Sequence, residues 1–191
     1  LLRLQHQFTD VKVSGLNMAF CGNVPIAAGL SSSSTIVVAS LQAAIALNNF
    51  DLTSKQFIDL CGEGEWFVGS RGGAGDHAAI HYGQRGKIAH VSNLPMGVDK
   101  IIDAPSDYQL LIANSHIKAA KSEGAKHIFN ARVASYNLGL TLLKQRFPEI
   151  ADRVEFLRDL NPETLGCATS DIYRYLLKIP QKLTRSDLKK L

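Results

Sequence analysis

Apolar positions recur along this chain at two different periods, and the places where the period changes mark out its elements. Between residues 10 and 21, Val11, Val13, Leu16, Met18 and Phe20 mostly alternate with polar or small residues. That is the period of strands with one buried face, and the segment opening at Leu1 is also strand-like. From Ser32 or Ser33 to about Leu47 the spacing becomes helical, with Val37, Leu41, Ala44 and Ile45 on one side. Asn48-Asn49 ends this helix. Thr53-Ser54-Lys55-Gln56 has the form of a capping box, which predicts a second helix to about Val68. A third, short helix is expected over residues 76–81, then a strand over 87–91 and a turn at Pro95-Met96-Gly97.

Further on, residues 108–113 form a compact apolar run suited to a buried strand, and residues 117–147 read as a long Ala-rich helix stopped or kinked by Pro148. Val154, Phe156 and Leu157 predict another helix, Asn161-Pro162 a turn and residues 172–177 a short helix, before a basic tail from Lys178. A boundary near Pro105 divides the chain into expected domains 1–105 and 106–191. There is no internal repeat, and no low-complexity stretch beyond a run of serines.

Two junctions in this layout carry chemistry. Pro25-Ile26-Ala27-Ala28-Gly29-Leu30-Ser31-Ser32-Ser33-Ser34 runs small, flexible residues straight into the first long helix. Gly29 turns the backbone without a Cβ penalty, and the serines leave the first-turn amides unobstructed, so the helix N-terminus can face an anion. A Walker-type loop is excluded because no lysine stands between Pro25 and Asn49, and a dinucleotide fingerprint is absent. A serine-rich helix cap holding no ligand stays open at this point. The second junction, Gly69-Ser70-Arg71-Gly72-Gly73-Ala74-Gly75-Asp76, is a glycine-dense turn that delivers Asp76.

Composition narrows the class. The 191 residues are 46% hydrophobic and 20% charged, ordinary for a soluble globular chain with one substantial core or two small ones. A net charge of +4, dispersed along the chain, suits an anionic small molecule and argues against a nucleic-acid partner. Cys21, Cys61 and Cys167 are three in number and far apart, which excludes a disulfide framework and zinc-finger spacing and fits a reducing cytoplasm. Neither a membrane-length apolar run nor a signal peptide is read, so no membrane partner is expected. Oligomeric state is not legible.

The stretch Pro-x-x-x-Gly-Leu-Ser-Ser-Ser-Ser from Pro25 to Ser34 resembles the second motif of the GHMP small-molecule kinases, and its serine run is most like galactokinases. The resemblance implies that Pro25, Ala28, Gly29, Leu30, Ser31, Ser32, Ser33 and Ser34 wrap the phosphates of ATP. It also implies that one serine hydroxyl among Ser32, Ser33 and Ser34 helps hold Mg2+, with Ser33 the choice. Phe67-Val68-Gly69 followed by Gly75-Asp76 repeats the family's spacing to its catalytic aspartate, so Asp76 is the expected base and Gly75 lies at the substrate. The fold implied is α+β with two lobes, a mixed-sheet N-terminal lobe and a ferredoxin-like C-terminal lobe, both incomplete. The family's earlier sugar-recognition motif and later glycine-rich motif are not found, and the chain opens at Leu1 without methionine, so a fragment is expected.

Phosphoryl transfer needs a phosphate cradle, charge neutralisation and often a carboxylate for the attacking hydroxyl. The family's metal-binding glutamate falls three residues before Phe67, where this chain has Gly64; Glu63 and Glu65 flank it. One residue turns a helical side chain by about 100°, so Glu65 requires a local bulge or a different way of holding the metal, and Glu63 is the second candidate. His77 stands where galactokinases have glutamine. Phe129, in Phe129-Asn130-Ala131-Arg132, stands where the family's tyrosine hydroxyl contacts the sugar. Both are candidate substrate residues, and the lost hydroxyl predicts altered discrimination.

Other arrangements are weaker. His77 and His81 share a helix face at i, i+4, but Ala78 stands where a metalloprotease has its glutamate. Arg71 can approach phosphate from the glycine turn, and His116 is read as packing or solvent-facing. A serine hydrolase fails for want of a Gly-x-Ser-x-Gly elbow. The expected function is thus ATP-dependent phosphorylation of a monosaccharide hydroxyl. The alternatives are another GHMP kinase acting on mevalonate, homoserine or a uronic acid, and an inactive sugar-binding relative.

Overall fold

A computed structural model describes residues 1–69, 71–93, 95–117 and 123–190, excepting the side chains of 123–125. Ser70 and the start of the helix predicted from Ile117 lie outside the described residues. Two compact units are formed, Leu1–Lys126 and His127–Leu191. The secondary structure is mixed helix with one small sheet.

In the first unit, α1 (Leu2–Gln7) is followed by irregular chain to Gly29, and then by α2 (Ser32–Asn48) and α3 (Ser54–Glu65). The capping box at Thr53 forms as predicted: Gln56 N donates to Thr53 Oγ1 and Thr53 N donates to Gln56 Oε1. A turn of 3₁₀ helix, Trp66–Val68, carries the chain out of α3, and the glycine turn leads into α4 (Gly75–Tyr82). Strands β1 (Lys87–Asn93) and β2 (Met96–Asp103) form an antiparallel hairpin with an irregularity between His90 and Val91. Val38 of α2, Phe57, Ile58 and Cys61 of α3, and Ala78 of α4 make the buried core, with Val91 and Met96 of the hairpin packed against it. Gly62 is the contact point between α3 and the glycine turn; a Cβ there would lie 2.9 Å from Ala74 Cβ, so only glycine fits this approach.

The second unit holds the end of α5 (Glu123–Arg146), α6 (Pro148–Ala151), a 3₁₀ turn at Leu157–Asp159, α7 (Pro162–Leu165), α8 (Thr169–Leu177) and α9 (Arg185–Leu188). Leu143, Phe147, Ile150, Val154, Leu165 and Ile172 form its core. Pro148 stops α5 and also starts α6 at the first helical position, where its missing N–H costs nothing.

Several expectations are corrected. Residues 10–21 and 108–113 form no strand among the described residues, and Leu110 and Leu111 are about nine-tenths exposed. Alternation or an apolar run marks which side chains a strand would bury but supplies no hydrogen-bonding partner, and an unpaired strand is not stable. The opening segment is helical, not strand-like. Only a 3₁₀ turn forms in the region where residues 154–157 predicted a helix. A second strand begins at Met96, inside the predicted turn, because Asn93 and Met96 close a tight hairpin.

Candidate functional site

The loop before α2 adopts backbone conformations uncommon for residues with a Cβ. Ala27, Gly29 and Ser31 all have positive φ, at 58°, 74° and 55°, while Ala28 and Leu30 between them do not. Alternation of φ sign turns successive amide groups toward one side, the geometry of an anion-binding concavity. Pro25, Ala28, Gly29 and Leu30 are exposed, Ser31 and Ser32 half-buried, Ser33 exposed and Ser34 buried.

Ser31 is the N-cap residue of α2, yet its side chain does not cap the helix. Its hydroxyl donates instead to Asp76 Oδ2 at 2.6 Å, across 45 positions of sequence. Its carbonyl accepts from the amide and hydroxyl of Thr35. The two junctions singled out by composition are therefore in direct contact. Asp76 sits in the first turn of α4, where the helix dipole favours a carboxylate, and remains exposed. Gly75 precedes it; a Cβ there would come within 3.3 Å of Asn93 Oδ1 on β1.

Beneath this pair lies a second polar contact. Ser34 Oγ donates to Glu65 Oε1 at 3.1 Å, and Glu65 Oε2 lies 3.7 Å from His77 Nε2. One carboxylate thus faces α2, its own α3 and α4 at once. α3 runs to Glu65, and a tighter 3₁₀ turn begins immediately after it. Glu63 points elsewhere and pairs with Arg3. His77 is buried, and burial holds its pKa below the ordinary value of 6.5 against the opposing pull of Glu65 and Asp76. Burial, aided by Glu65, pushes the Cys61 thiol up to about 12.

Ser33 stands in solvent, and Ser34 is the serine beside the carboxylate, a distinction the run of four serines could not convey. His81 is separated from His77 by its partners: it contacts Ser54 Oγ at 3.1 Å and stacks on Phe57. Arg71 lies over the Trp66 ring, 4.8 Å from its centre, and Trp66 Nε1 donates to Gly72 O, so the glycine turn is held by an aromatic anchor that spacing did not reveal. Phe129 lies on α5 in the second unit, exposed. A cavity of about 390 Å³ opens among α1, α2 and α3, lined by Leu1, Leu4, Met18, Ile36, Leu41 and other mostly apolar residues. It contains none of Ser31, Ser34, Glu65 and Asp76, so concavity and chemistry do not coincide there.

Chemically, the arrangement offers an anion-receptive helix start, a carboxylate tied to it, and a hydroxyl–carboxylate pair of hard oxygen donors. Among the described residues no helix is long and apolar enough to cross a membrane.

Residues 1–84 match the family model described as GHMP kinases N terminal domain. The galactokinase of Schizosaccharomyces pombe is 32% identical over 144 residues, 71% of this chain and 27% of that protein. That of Dictyostelium discoideum is 27% identical over 149 residues, 78% of this chain and 30% of its own length. The galactokinase of Halalkalibacterium halodurans is 25% identical over 167 residues, 86% and 41% respectively. The chain thus spans from about a quarter to two-fifths of the length of these curated relatives.

Proposed function

We propose that this galactokinase-like chain, a member of the GHMP kinases, carries the phosphate-binding and base-bearing part of an ATP-dependent sugar kinase. The observation that carries the reading is the 2.6 Å bond between Ser31 and Asp76, which couples the serine loop to a carboxylate at the start of α4. The backbone amides at Gly29, Leu30, Ser31, Ser32, Ser33 and Ser34 receive the ATP phosphates, with Pro25 and Ala28 shaping the approach. Asp76 orients the sugar hydroxyl and takes its proton as the phosphoryl group passes in line. No covalent enzyme intermediate is required.

The residues present fit Mg2+, which favours hard oxygen donors and is commonly held by one or two carboxylates together with substrate phosphates. Glu65 would hold it, with the hydroxyl of Ser34 supported over that of Ser33 by the Ser34–Glu65 contact. When bound, the ion neutralises charge on the phosphates. Gly75 faces the sugar in this reading; Phe129, on the second unit, is a substrate candidate from the family resemblance alone, and the buried ring of His77 makes no direct contact with the sugar. The remaining architecture is the two-lobed one, a mixed-sheet N-terminal lobe and a ferredoxin-like C-terminal lobe divided near Pro105, in a cytoplasmic protein.

The test is coupled ADP release by the intact protein with galactose, arabinose, fucose, galacturonate, glucuronate and mevalonate. A sugar is expected to give turnover, a uronic acid or mevalonate alone would move the assignment within the family, and silence throughout would overturn it. Asp76→Asn should lower turnover at least ~100-fold with ATP binding retained, the size of a lost general base.

A further inference from the structure

His77 is 1% exposed, and neither of its ring nitrogens has a hydrogen-bond partner among the described residues. A buried polar side chain in this condition bears the full penalty of desolvation unless something nearby satisfies it. The acceptor facing it is Glu65 Oε2, 3.7 Å from Nε2. The other oxygen of the same carboxylate is already engaged by Ser34. An imidazole nitrogen that bears a proton donates to a carboxylate oxygen, so a ring held this way can satisfy one of its two polar atoms. Of its two nitrogens, Nε2 is the one that faces the carboxylate.

Resting on the reading of Glu65 as the cation's carboxylate, we propose that His77 is a positioning residue. It donates Nε2–H to Glu65 Oε2 and so fixes the plane in which Oε1 and the Ser34 hydroxyl meet the divalent cation. A carboxylate movement of about 0.5–1 Å brings the pair into hydrogen-bond range, a small adjustment for a side chain at the end of α3. Such outer partners orient metal-binding carboxylates, and their loss typically lowers metal affinity about 10–100-fold. His77 acts through Glu65 and does not touch the reacting atoms.

The probe is Mn2+, titrated by electron paramagnetic resonance into the intact protein saturated with a non-hydrolysable ATP analogue. His77→Leu should weaken Mn2+ binding about 10–100-fold, whereas His77→Gln, which restores an N–H donor, should stay within about threefold of the parent. Binding of the analogue in EDTA should be unchanged in both. If His77→Leu binds Mn2+ like the parent while Glu65→Gln is weakened, the positioning role is overturned and the cation reading of Glu65 stands. If Glu65→Gln is also unaffected, that reading fails and the positioning role goes with it. Nitrogen modulation in the pulsed spectrum of bound Mn2+ would make His77 a direct ligand, which also overturns the proposal. Nitrogen-15 NMR of the unaltered protein gives a check independent of how the variants fold. A proton on Nε2 at pH 7 is expected, and a ring protonated at Nδ1 alone would refute the proposal.

Discussion

Placing a methyl group at Gly62 tests the packing that sets Asp76 in place. The added Cβ would lie 2.9 Å from Ala74 Cβ, against about 3.5–4.0 Å for an unstrained carbon pair. Both carbons are fixed to backbone, so α3 and the glycine turn must separate by roughly 0.6–1 Å. Overpacking of this kind costs about 1–3 kcal/mol, while replacing a helical glycine by alanine returns about 0.8–1 kcal/mol. Net destabilisation of about 1 kcal/mol is expected for Gly62→Ala. Gly64 in the same helix is the control, because its Cβ would meet only Val37 Cγ1 at 3.5 Å, an ordinary contact. Gly64→Ala should therefore stabilise by up to about 1 kcal/mol. With about 2–4 °C per kcal/mol for a chain of this size, the two melting temperatures should separate by roughly 4–8 °C in opposite directions from the parent. Thermal unfolding by circular dichroism measures this. Trp66, the single tryptophan, reports urea unfolding a few residues from the mutated site. Because Ala74 adjoins Gly75-Asp76, Gly62→Ala should also lower turnover more than its stability loss explains. Equal upward shifts for both alanines would refute the contact between α3 and the turn.

Three further outcomes are expected. Burial keeps the folded-state pKa of His77 below 6.5, so the unfolded chain binds the extra proton first; stability should fall as pH drops through about 6.5, and His77→Gln should flatten that slope in melts between pH 7.5 and 5.5. Cys61 is fully buried with its thiol pushed up to about 12, whereas Cys21 is exposed; iodoacetamide at pH 8 followed by peptide mass spectrometry should label Cys21 and spare Cys61, and early labelling of Cys61 would contradict its burial. Thr53→Ala removes the capping acceptor of α3 and should cost about 1 kcal/mol in urea unfolding, with Thr53→Ser nearly neutral.

Where a sequence signal and its structural partner are close in the chain, reading was accurate. The capping box at Thr53 and Gln56 spans one helical turn, and α2, α3 and α4 were legible from such local signals. Residues 10–21 and 108–113 have the pattern of strands but form none among the described residues, because strand formation depends on pairing, which periodicity does not encode. The Ser31–Asp76 and Ser34–Glu65 pairs lie 45 and 31 positions apart. Family spacing marked Asp76, but nothing in the residues announced which serine would meet which carboxylate. His77 is a substrate candidate because it stands where galactokinases have glutamine; its burial against Glu65 follows from the turn of α4 and is not readable from composition.

The loop before α2 also limits how this protein can vary by descent. Positions 27, 29 and 31 have positive φ, and glycine occupies only the middle one. Each L-residue held there carries a conformational cost of about 1–2 kcal/mol, so Ala27→Gly is a downhill step, while valine, isoleucine or threonine at any of the three is closed off. The permitted alphabet is short: glycine, alanine, serine and asparagine. A randomised library selected for the folded chain should return these letters at alternate positions, with freer choice at Ala28 and Leu30.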